Sequence, residues 1–287
     1  MNRFKTFLLL GLVTSLLVTL GAFLGKGWLI GCTIAAFGLN LGAYFWSDRL
    51  VLRMQGAEEL PEREAPTLHA DVAELAARAG IPKPRVFIVR DEAPNAFATG
   101  RNPEHGVVAF TEGILRTMPR RELRGVIAHE LAHIGNRDIL VATVAAGLAG
   151  AVSLLGNVLQ WGALLGGGSQ SDEEGGSPLG GLLFAVVAPI GASLIQFAIS
   201  RSREYMADAG AARVTGDPEG LALALERLGR LNQVIEPGPT AEPATASLMI
   251  ASPFSGGGLL SWFSTHPPIE DRVARLRDFA RRPGLAA

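Results

Sequence analysis

The chain has 287 residues, of which 48% are hydrophobic and only 18% are charged, and its formal net charge is −1. Soluble domains usually contain roughly 25% charged residues, so this deficit indicates that part of the chain lies in lipid. The small net charge excludes a basic field that would attract nucleic acid. The single cysteine, Cys32, excludes both an intrachain disulfide and a zinc site built from cysteines.

Two apolar runs begin the chain. Residues 7–24 carry no charge and follow Arg3 and Lys5, and residues 28–46 form a second run after a short Gly-Lys-Gly turn. About 20 apolar residues cross the hydrocarbon core, so the pair predicts a transmembrane hairpin over residues 1–46. A cleaved signal peptide is the alternative, although its apolar part is usually only ~7–15 residues long.

Residues 47–138 change in character and predict the first part of a soluble domain with both helix and sheet. Thr67 is the expected N-cap of an amphipathic helix that ends at Gly80. Residues 85–89 predict a strand, and the segments 95–99 and 106–110 predict a hairpin. The expected fold class is therefore mainly α with a small β-sheet.

A helix opened by Pro119 is expected to run through His133, and two further apolar stretches follow it. Residues 139–165 and 179–199 carry no charge, and a Gly/Ser linker with three acidic residues separates them. Their length favours two further membrane-embedded helices within residues 139–200, which would make the chain a polytopic membrane protein. The alternative is a pair of buried helices in a large soluble core.

The basic residues give the orientation. Except for Lys26 in the first short loop, those that flank the apolar runs lie on one side, and the loop between the last two runs has no Lys or Arg. The positive-inside rule therefore places both termini and the soluble region in the cytoplasm. The residues on that side are Arg3, Lys5, Arg49, Arg53, Arg137, Arg201 and Arg203.

Residues 201–287 predict the second part of the soluble domain. Helices are expected near 202–213, 218–233 and 268–280. The segment 236–258 is rich in Pro, Gly, Ser and Ala, which is typical of a loop, and we expect it to lie near the site.

The strongest motif is His129-Glu130-Leu131-Ala132-His133, which has the pattern H-E-x-x-H. Residues four apart lie on one face of a helix, so His129 and His133 can bind one ion. Glu130 then lies beside that face, where its carboxylate is near a water rather than on the ion. Such a pattern also occurs by chance, so its position on a predicted helix beside an apolar segment adds to its weight.

A catalytic zinc needs a third protein ligand and an open position for water. Glu204 and Asp208 lie four apart on one predicted helix, so Glu204 could bind the ion while Asp208 accepts the free N–H of a ligand histidine. By spacing alone, a solvated helix face whose acids pair with Arg201 and Arg203 is equally consistent.

Several segments together carry a resemblance to a known family. Beside the N-terminal hairpin and the later apolar segments, they are Pro94 to Gly100, His129 to Asp138, Glu204 to Asp208 and Phe263 to Pro268. With these motifs the chain resembles the HtpX-like membrane metallopeptidases, which act in heat-shock quality control in bacterial inner membranes. It is more distantly similar to the CAAX prenyl proteases.

The resemblance implies a zincin-like (gluzincin) catalytic domain that holds one Zn²⁺ per chain. The family's two helix histidines and its glutamate match His129, His133 and Glu204, and its general base matches Glu130. It also implies a multi-pass endopeptidase of the bacterial inner membrane, with the active site facing the cytoplasm. The expected substrates are misfolded membrane proteins or unfolded polypeptides.

Other residues are weaker candidates. His266 is our candidate donor to the developing oxyanion, or else a surface histidine before a helix. Asn95, Ala96 and Phe97 are expected in an edge strand that binds extended substrate, or else in an ordinary edge strand. Asp138 is interpreted as a helix-junction cap or as an acid behind a ligand, and His69 and His105 as surface or loop residues.

Two other classes of function are weighed against a protease. A non-enzymatic membrane scaffold would have a structural zinc site with four protein ligands, for which His266 is the available fourth. Glu130 argues against this, because a structural site has no use for a base. A transporter would carry ionisable residues within its membrane segments, and residues 139–165 and 179–199 contain none.

Overall fold

The computed structural model describes residues 25–146, 201–235, 248–250 and 267–281, together with scattered positions between 6 and 22. Its first complete helix, α1, spans Lys26–Met54. Within the described residues, α1 is the one helix long and apolar enough to cross a membrane. Large apolar side chains remain exposed along it, as a lipid-facing surface requires. They are Trp28, Ile30, Ile34, Phe37, Leu41, Tyr44, Phe45 and Trp46.

A small mixed sheet follows α1, as expected for a mainly helical fold. Its strands are β1 (Glu58–Glu59), β2 (Arg85–Val89), β3 (Ala96–Thr99) and β4 (Val107–Thr111). They lie in the order β1-β2-β4-β3, so β3 is an outer strand of the sheet. The expected hairpin is present because β3 pairs antiparallel with β4, with Phe97 opposite Ala109. β4 pairs parallel with β2 on its other side.

Helices surround this sheet. α2 (Pro66–Arg78), α3 (Glu112–Thr117) and α4 (Arg120–Gly135) come from the first soluble part. The chain is helical again from residue 139 to residue 146. α5 (Arg201–Thr215), α6 (Pro218–Leu231) and α7 (Ile269–Arg281) come from the second part. α5 and α6 pack against α4 and each other, and α7 packs against α5 and α6. The two soluble parts therefore form one core.

Both faces of the sheet are covered. One face packs in the main core, where side chains of β2, β3 and β4 such as Val86, Ala98 and Phe110 meet α2, α4 and α6. The other face, which includes Phe87 and Phe97, packs against Val51 and Leu52 near the C-terminal end of α1. The end of the apolar helix is therefore part of the core that supports the sheet.

Two local expectations are wrong. Thr67 is not an N-cap, because Pro66 occupies the first turn and Ala65 precedes the helix. Proline fits there since the first helical N–H groups have no partner in the helix. His69 is not a surface residue. It is buried on α2, and its Nε2 lies 2.8 Å from the carbonyl oxygen of Leu60.

Other expectations fall outside the described residues. The apolar segments at 147–165 and 179–199, most of the loop 236–258 and the candidate His266 all lie there. His105 is exposed in a short 3-10 helix, as expected.

Candidate metal centre

The last turns of α4 bring the two histidines together. His129 and His133 are one helical turn apart, and their Nε2 atoms are 3.1 Å from each other. The two rings meet edge to face, with centroids 4.7 Å apart. His129 is buried, while His133 is partly exposed. Both imidazoles therefore direct the same nitrogen at one point beside the helix.

Glu204 on α5 completes the group. Its Oε2 lies 3.7 Å from Nε2 of His129, and its Oε1 lies 3.5 Å from Nε2 of His133. The helices can approach closely because Gly210 faces Ala132, where an added Cβ would come within 3.0 Å of the alanine methyl. Glu204 is buried, so the solvated face weighed from its spacing is not what the fold forms.

The geometry of these three side chains fits a metal ion. Their ligand atoms all lie within 4.8 Å of one another. Zinc bonds of ~2.0–2.2 Å in a tetrahedron separate neighbouring ligand atoms by about 3.4 Å, close to the three measured distances. Two imidazoles and one carboxylate also match the ligand set of catalytic zinc sites, which leave a fourth position for water or substrate.

Each imidazole has a carboxylate behind it. Nδ1 of His129 lies 3.0 Å from Oδ1 of Asp208, one turn after Glu204 on α5. Nδ1 of His133 lies 3.3 Å from Oδ2 of Asp138. A carboxylate that accepts this N–H fixes the ring and leaves Nε2 free to bind an ion.

Asp138 reaches His133 through a strained turn. Arg137 has φ of 58°, in the left-handed region that glycine usually occupies after a helix. A residue with a side chain costs about 1–2 kcal/mol there. The turn folds the chain back, so the N–H of Asp138 donates to the carbonyl of His133. The side-chain contact with His133 fits the interpretation of Asp138 as an acid behind a ligand, and its position directly before the helix that begins at residue 139 fits a helix-junction cap as well.

Burial shifts the protonation of the site. It raises the pKa of Glu130 to about 7, with the negative charge of Glu204 adding to the rise. Burial also lowers the pKa of His129 to about 4, which keeps this imidazole neutral. For His133 burial acts the same way, but the carboxylates of Glu204 and Asp138 outweigh it and raise the pKa to about 9. Those carboxylates form a negative field that would equally attract a divalent cation.

Comparison with known proteins identifies the family. The model of peptidase family M48 matches residues 62–280. The protein named Protease HtpX homolog from Syntrophobacter fumaroxidans is 50% identical over 280 residues, covering 96% of this chain and 99% of that protein. The homolog of the same name from Paraburkholderia phytofirmans is 48% identical over 284 residues, covering 98% of each chain. This chain belongs to peptidase family M48.

A solved structure shares the fold. The crystal structure of Ste24p from S. mikatae aligns with a TM-score of 0.50 at 18% identity, covering 93% of this chain and 62% of that one. The match to family M48 and the HtpX homologs, rather than this fold likeness, show that the chain is a membrane-bound metalloprotease and confirm the resemblance found in its motifs. The non-enzymatic scaffold finds no support.

Sequence reasoning missed one residue of this M48 site. Arg272 on α7 is fully buried, and its guanidinium pairs with both oxygens of Asp208, Nε at 2.9 Å and Nη2 at 2.7 Å. Its Nη1 lies 3.9 Å from Oε2 of Glu204. A signal was present, because Arg272 shares a helix face with Ile269 and Leu276 and so interrupts the apolar stripe.

The remaining candidates divide between the edge strand and the undescribed part. Asn95 is buried at the start of β3, where its backbone N–H donates to Thr111 Oγ1 at 2.8 Å. Ala96 and Phe97 lie in β3, which packs against α4, and the backbone of Ala98 in the same strand lowers the pKa of Glu130. β3 is thus next to the base. His266 is not among the described residues.

Proposed function

We propose that this chain is a zinc-dependent endopeptidase in which His129, His133 and Glu204 hold the ion and Glu130 is the general base. One observation carries the proposal: nitrogen and oxygen donors from two separate helices converge within 3.1–3.7 Å of one another beside a buried carboxylate. Convergence of this kind from helices distant in sequence is what a catalytic metal site requires.

The ion and the protein residues have separate tasks. Zinc held there would act as a Lewis acid that polarises the scissile carbonyl and lowers the pKa of a water towards ~7. Glu130 takes the proton of the attacking water and delivers it to the leaving amine. Its carboxylate lies beside the helix face that carries the two ligand histidines, within reach of a water on the ion.

Positioning residues support this chemistry. Asp208 and Asp138 hold the ligand imidazoles by their Nδ1 atoms, and Arg272 in turn holds Asp208. Asn95, directly before β3, and Ala96 and Phe97 within it are proposed to bind the backbone of an extended substrate, which gives affinity with little demand on sequence. His266 is the proposed donor to the oxyanion, at a position outside the described residues.

The membrane placement suggests the substrates. Val51 and Leu52 near the end of α1 pack beneath the sheet that carries β3, which supports an active site at the membrane surface. We propose a multi-pass protein of the bacterial inner membrane with this surface facing the cytoplasm, as the basic residues indicate. Its substrates would be misfolded membrane proteins whose cytosolic segments reach the site. Deletion of the gene should then cause such proteins to accumulate, and unchanged levels would contradict this assignment.

The decisive experiment changes Glu130 alone. Zinc content by mass spectrometry and casein hydrolysis are measured in the purified parent and in Glu130→Gln. We expect one zinc per chain in both proteins. Casein hydrolysis should be slower by at least ~10²-fold in the variant than in the parent. Equal hydrolysis in the two proteins would remove Glu130 from the mechanism.

A matched control lies on the same helix. Glu122 is also buried on α4, but it pairs with Arg227 at 2.6 Å, two turns before the histidines. Glu122→Gln should retain zinc and hydrolysis while the protein becomes less stable, since the change leaves a charged partner unpaired.

A further inference from the structure

The outer edge of β3 is already paired. Residues 248–250 lie against it, with Met249 opposite Phe97 in an antiparallel bridge. The backbone N–H of Ile250 donates to the carbonyl of Ala96 at 3.0 Å. This is the edge that the proposed function assigns to substrate, and a strand edge can pair with only one segment at a time.

The carbonyl of Ile250 is held as well. Nη1 of Arg272 donates to it at 3.1 Å, while the other nitrogens of this guanidinium bind Asp208. The peptide groups on both sides of Ile250 are thus bound, one by the strand and one by a cation of the metal centre. A peptide substrate would be held in the same manner.

This segment passes close to the base. The strand β3 packs against α4, which carries Glu130, and Ala98, whose backbone lowers the pKa of that carboxyl, is two residues from Ala96 along β3. Two residues of a strand span about 7 Å. The guanidinium that binds the Ile250 carbonyl through Nη1 also places Nη2 3.4 Å from Nε2 of His129, so the Ile250 backbone lies beside the metal centre.

The side chains of the segment fill apolar sites on both faces of the sheet. Met249 and Leu248 pack with Phe97 and the end of α1, and Ile250 packs in the core that contains α4. All three side chains are at most 8% exposed. Burial of these apolar side chains stabilises the segment in its place, so an incoming segment replaces it efficiently only if it also carries bulky apolar side chains.

We propose that Leu248–Ile250 is an internal occupant of the substrate edge, which an extended substrate with bulky apolar side chains must displace. The inference rests on the proposed function and adds an autoinhibitory contact to it. The apparent affinity for substrate is the intrinsic affinity multiplied by the fraction of molecules in which the edge is open. The alternative is a permanent fifth strand, which would leave substrate to bind elsewhere.

A disulfide tests the displacement. Phe97 and Met249 lie directly opposite each other, and the neighbouring Ile250–Ala96 hydrogen bond shows that they are a non-hydrogen-bonded pair. The Cα atoms of such a pair are about 4.5 Å apart, a distance that suits a disulfide. Cys32 is the only native cysteine, so Phe97→Cys and Met249→Cys are combined with Cys32→Ser. Casein hydrolysis should be at least ~10-fold slower after oxidation than after reduction, with equal zinc content in both states.

Each single-cysteine variant is treated with the same oxidant as a control and should show an oxidised-to-reduced ratio near one. Hydrolysis unchanged by the crosslink overturns the proposal, because substrate then binds without opening the edge. Absence of hydrolysis even in the reduced parent would instead contradict the proposed function.

A second measurement does not depend on catalysis. In a zinc-loaded Glu130→Gln, Cys32→Ser background, Met249→Cys is labelled with a maleimide. Unfolded casein should raise the labelling rate several-fold by displacing the segment. Met118→Cys is the matched control, since Met118 and Met249 are both 6% exposed and Met118 lies between α3 and α4 rather than on the outer edge of β3, so its rate should not change. Equal rates at position 249 with and without casein overturn the proposal.

Discussion

The two ends of α4 use charged residues in opposite ways. The arginines of its first turn reach solvent, and Arg121 pairs there with the partly exposed Asp217, although Glu122 in the same turn is buried. Its last two turns direct the side chains of His129, Glu130 and His133 inward, towards α5 and β3. The helix is continuous, and the residue types are equally polar at both ends.

The difference lies in solvation. Exposed ion pairs contribute little, because water screens the charges and the side chains lose freedom when they pair. Burial removes that screening, so at the other end a neighbouring carboxylate changes the protonation and orientation of an imidazole. One end therefore stabilises the position of the helix, and the other end performs its chemistry.

The largest effect is expected for the ligand supplied by α5. Glu204→Gln should lose zinc from the purified protein and reduce casein hydrolysis to background, since the other two ligands lie on α4 alone. Glu226→Gln is the control, because Glu226 lies on the neighbouring helix and pairs with Arg277. Stoichiometric zinc in Glu204→Gln would place the third ligand elsewhere.

Arg272→Met should give the next largest effect. It leaves the buried carboxylate of Asp208 without its bidentate partner, which costs about 3–5 kcal/mol in the free energy of unfolding measured with denaturant. Combining it with Asp208→Asn should recover part of that loss, because no buried charge remains unpaired. The half-exposed Arg277 is the control, and Arg277→Met should change the free energy far less. Similar losses for both arginines would contradict the distinction between buried and exposed pairs.

Buried aspartates at the two ends of α4 provide a finer comparison. Asp208→Asn and Asp138→Asn should each weaken zinc binding ~10–100-fold in a competition assay with a chelator, because each removes the acceptor behind one imidazole. Asp71→Asn removes an equally buried carboxylate that pairs with Arg120 and Arg124 at the other end. It should lower stability and leave zinc affinity unchanged.

The pH dependence of Asp71 follows from its partners. Burial acts to raise its pKa, but hydrogen bonds from Arg120 and Arg124 outweigh burial and the pKa is lowered. Its stabilisation is therefore present above the unfolded pKa of ~3.9 and is lost as the pH falls through the lower folded value. Unfolding between pH 4 and pH 2 should be less pH-dependent in Asp71→Asn than in the parent.

The smallest effect is expected for the exposed pair. Arg121→Ala breaks a bidentate contact with Asp217, but both partners are substantially solvated, so the thermal midpoint should shift only slightly and less still at high salt. A loss of stability as large as the one expected for Arg272→Met would contradict the distinction between solvated and buried charges.

Much of the fold could be predicted from local patterns. The helices α4 to α7 and the β3–β4 hairpin lie within a few residues of their expected positions, because apolar periodicity and turn residues act over short distances. The polytopic topology stays a prediction. His69 was misjudged because a histidine on an amphipathic helix gives no sign of the carbonyl that will face it.

The candidate site also contains some residues that local patterns predict and others that depend on tertiary contacts. Spacing alone identified His129 and His133 as a pair, but it left Glu204 equally consistent with a solvated face, and only the family resemblance favoured it as a ligand. Arg272 was missed because its partner Asp208 is 64 residues away and the sequence does not state which helices will touch.

The sequence by itself determined the H-E-x-x-H face of α4, since residues one turn apart must lie together on any helix. It also determined the apolar segments, since their length and lack of charge suit lipid. Only the tertiary structure decided that Glu204 faces the histidines, that Arg272 is buried against Asp208, and that Ile250 lies on the edge of β3. These contacts depend on how helices and strands pack, and packing is a property of the whole core rather than of any one segment.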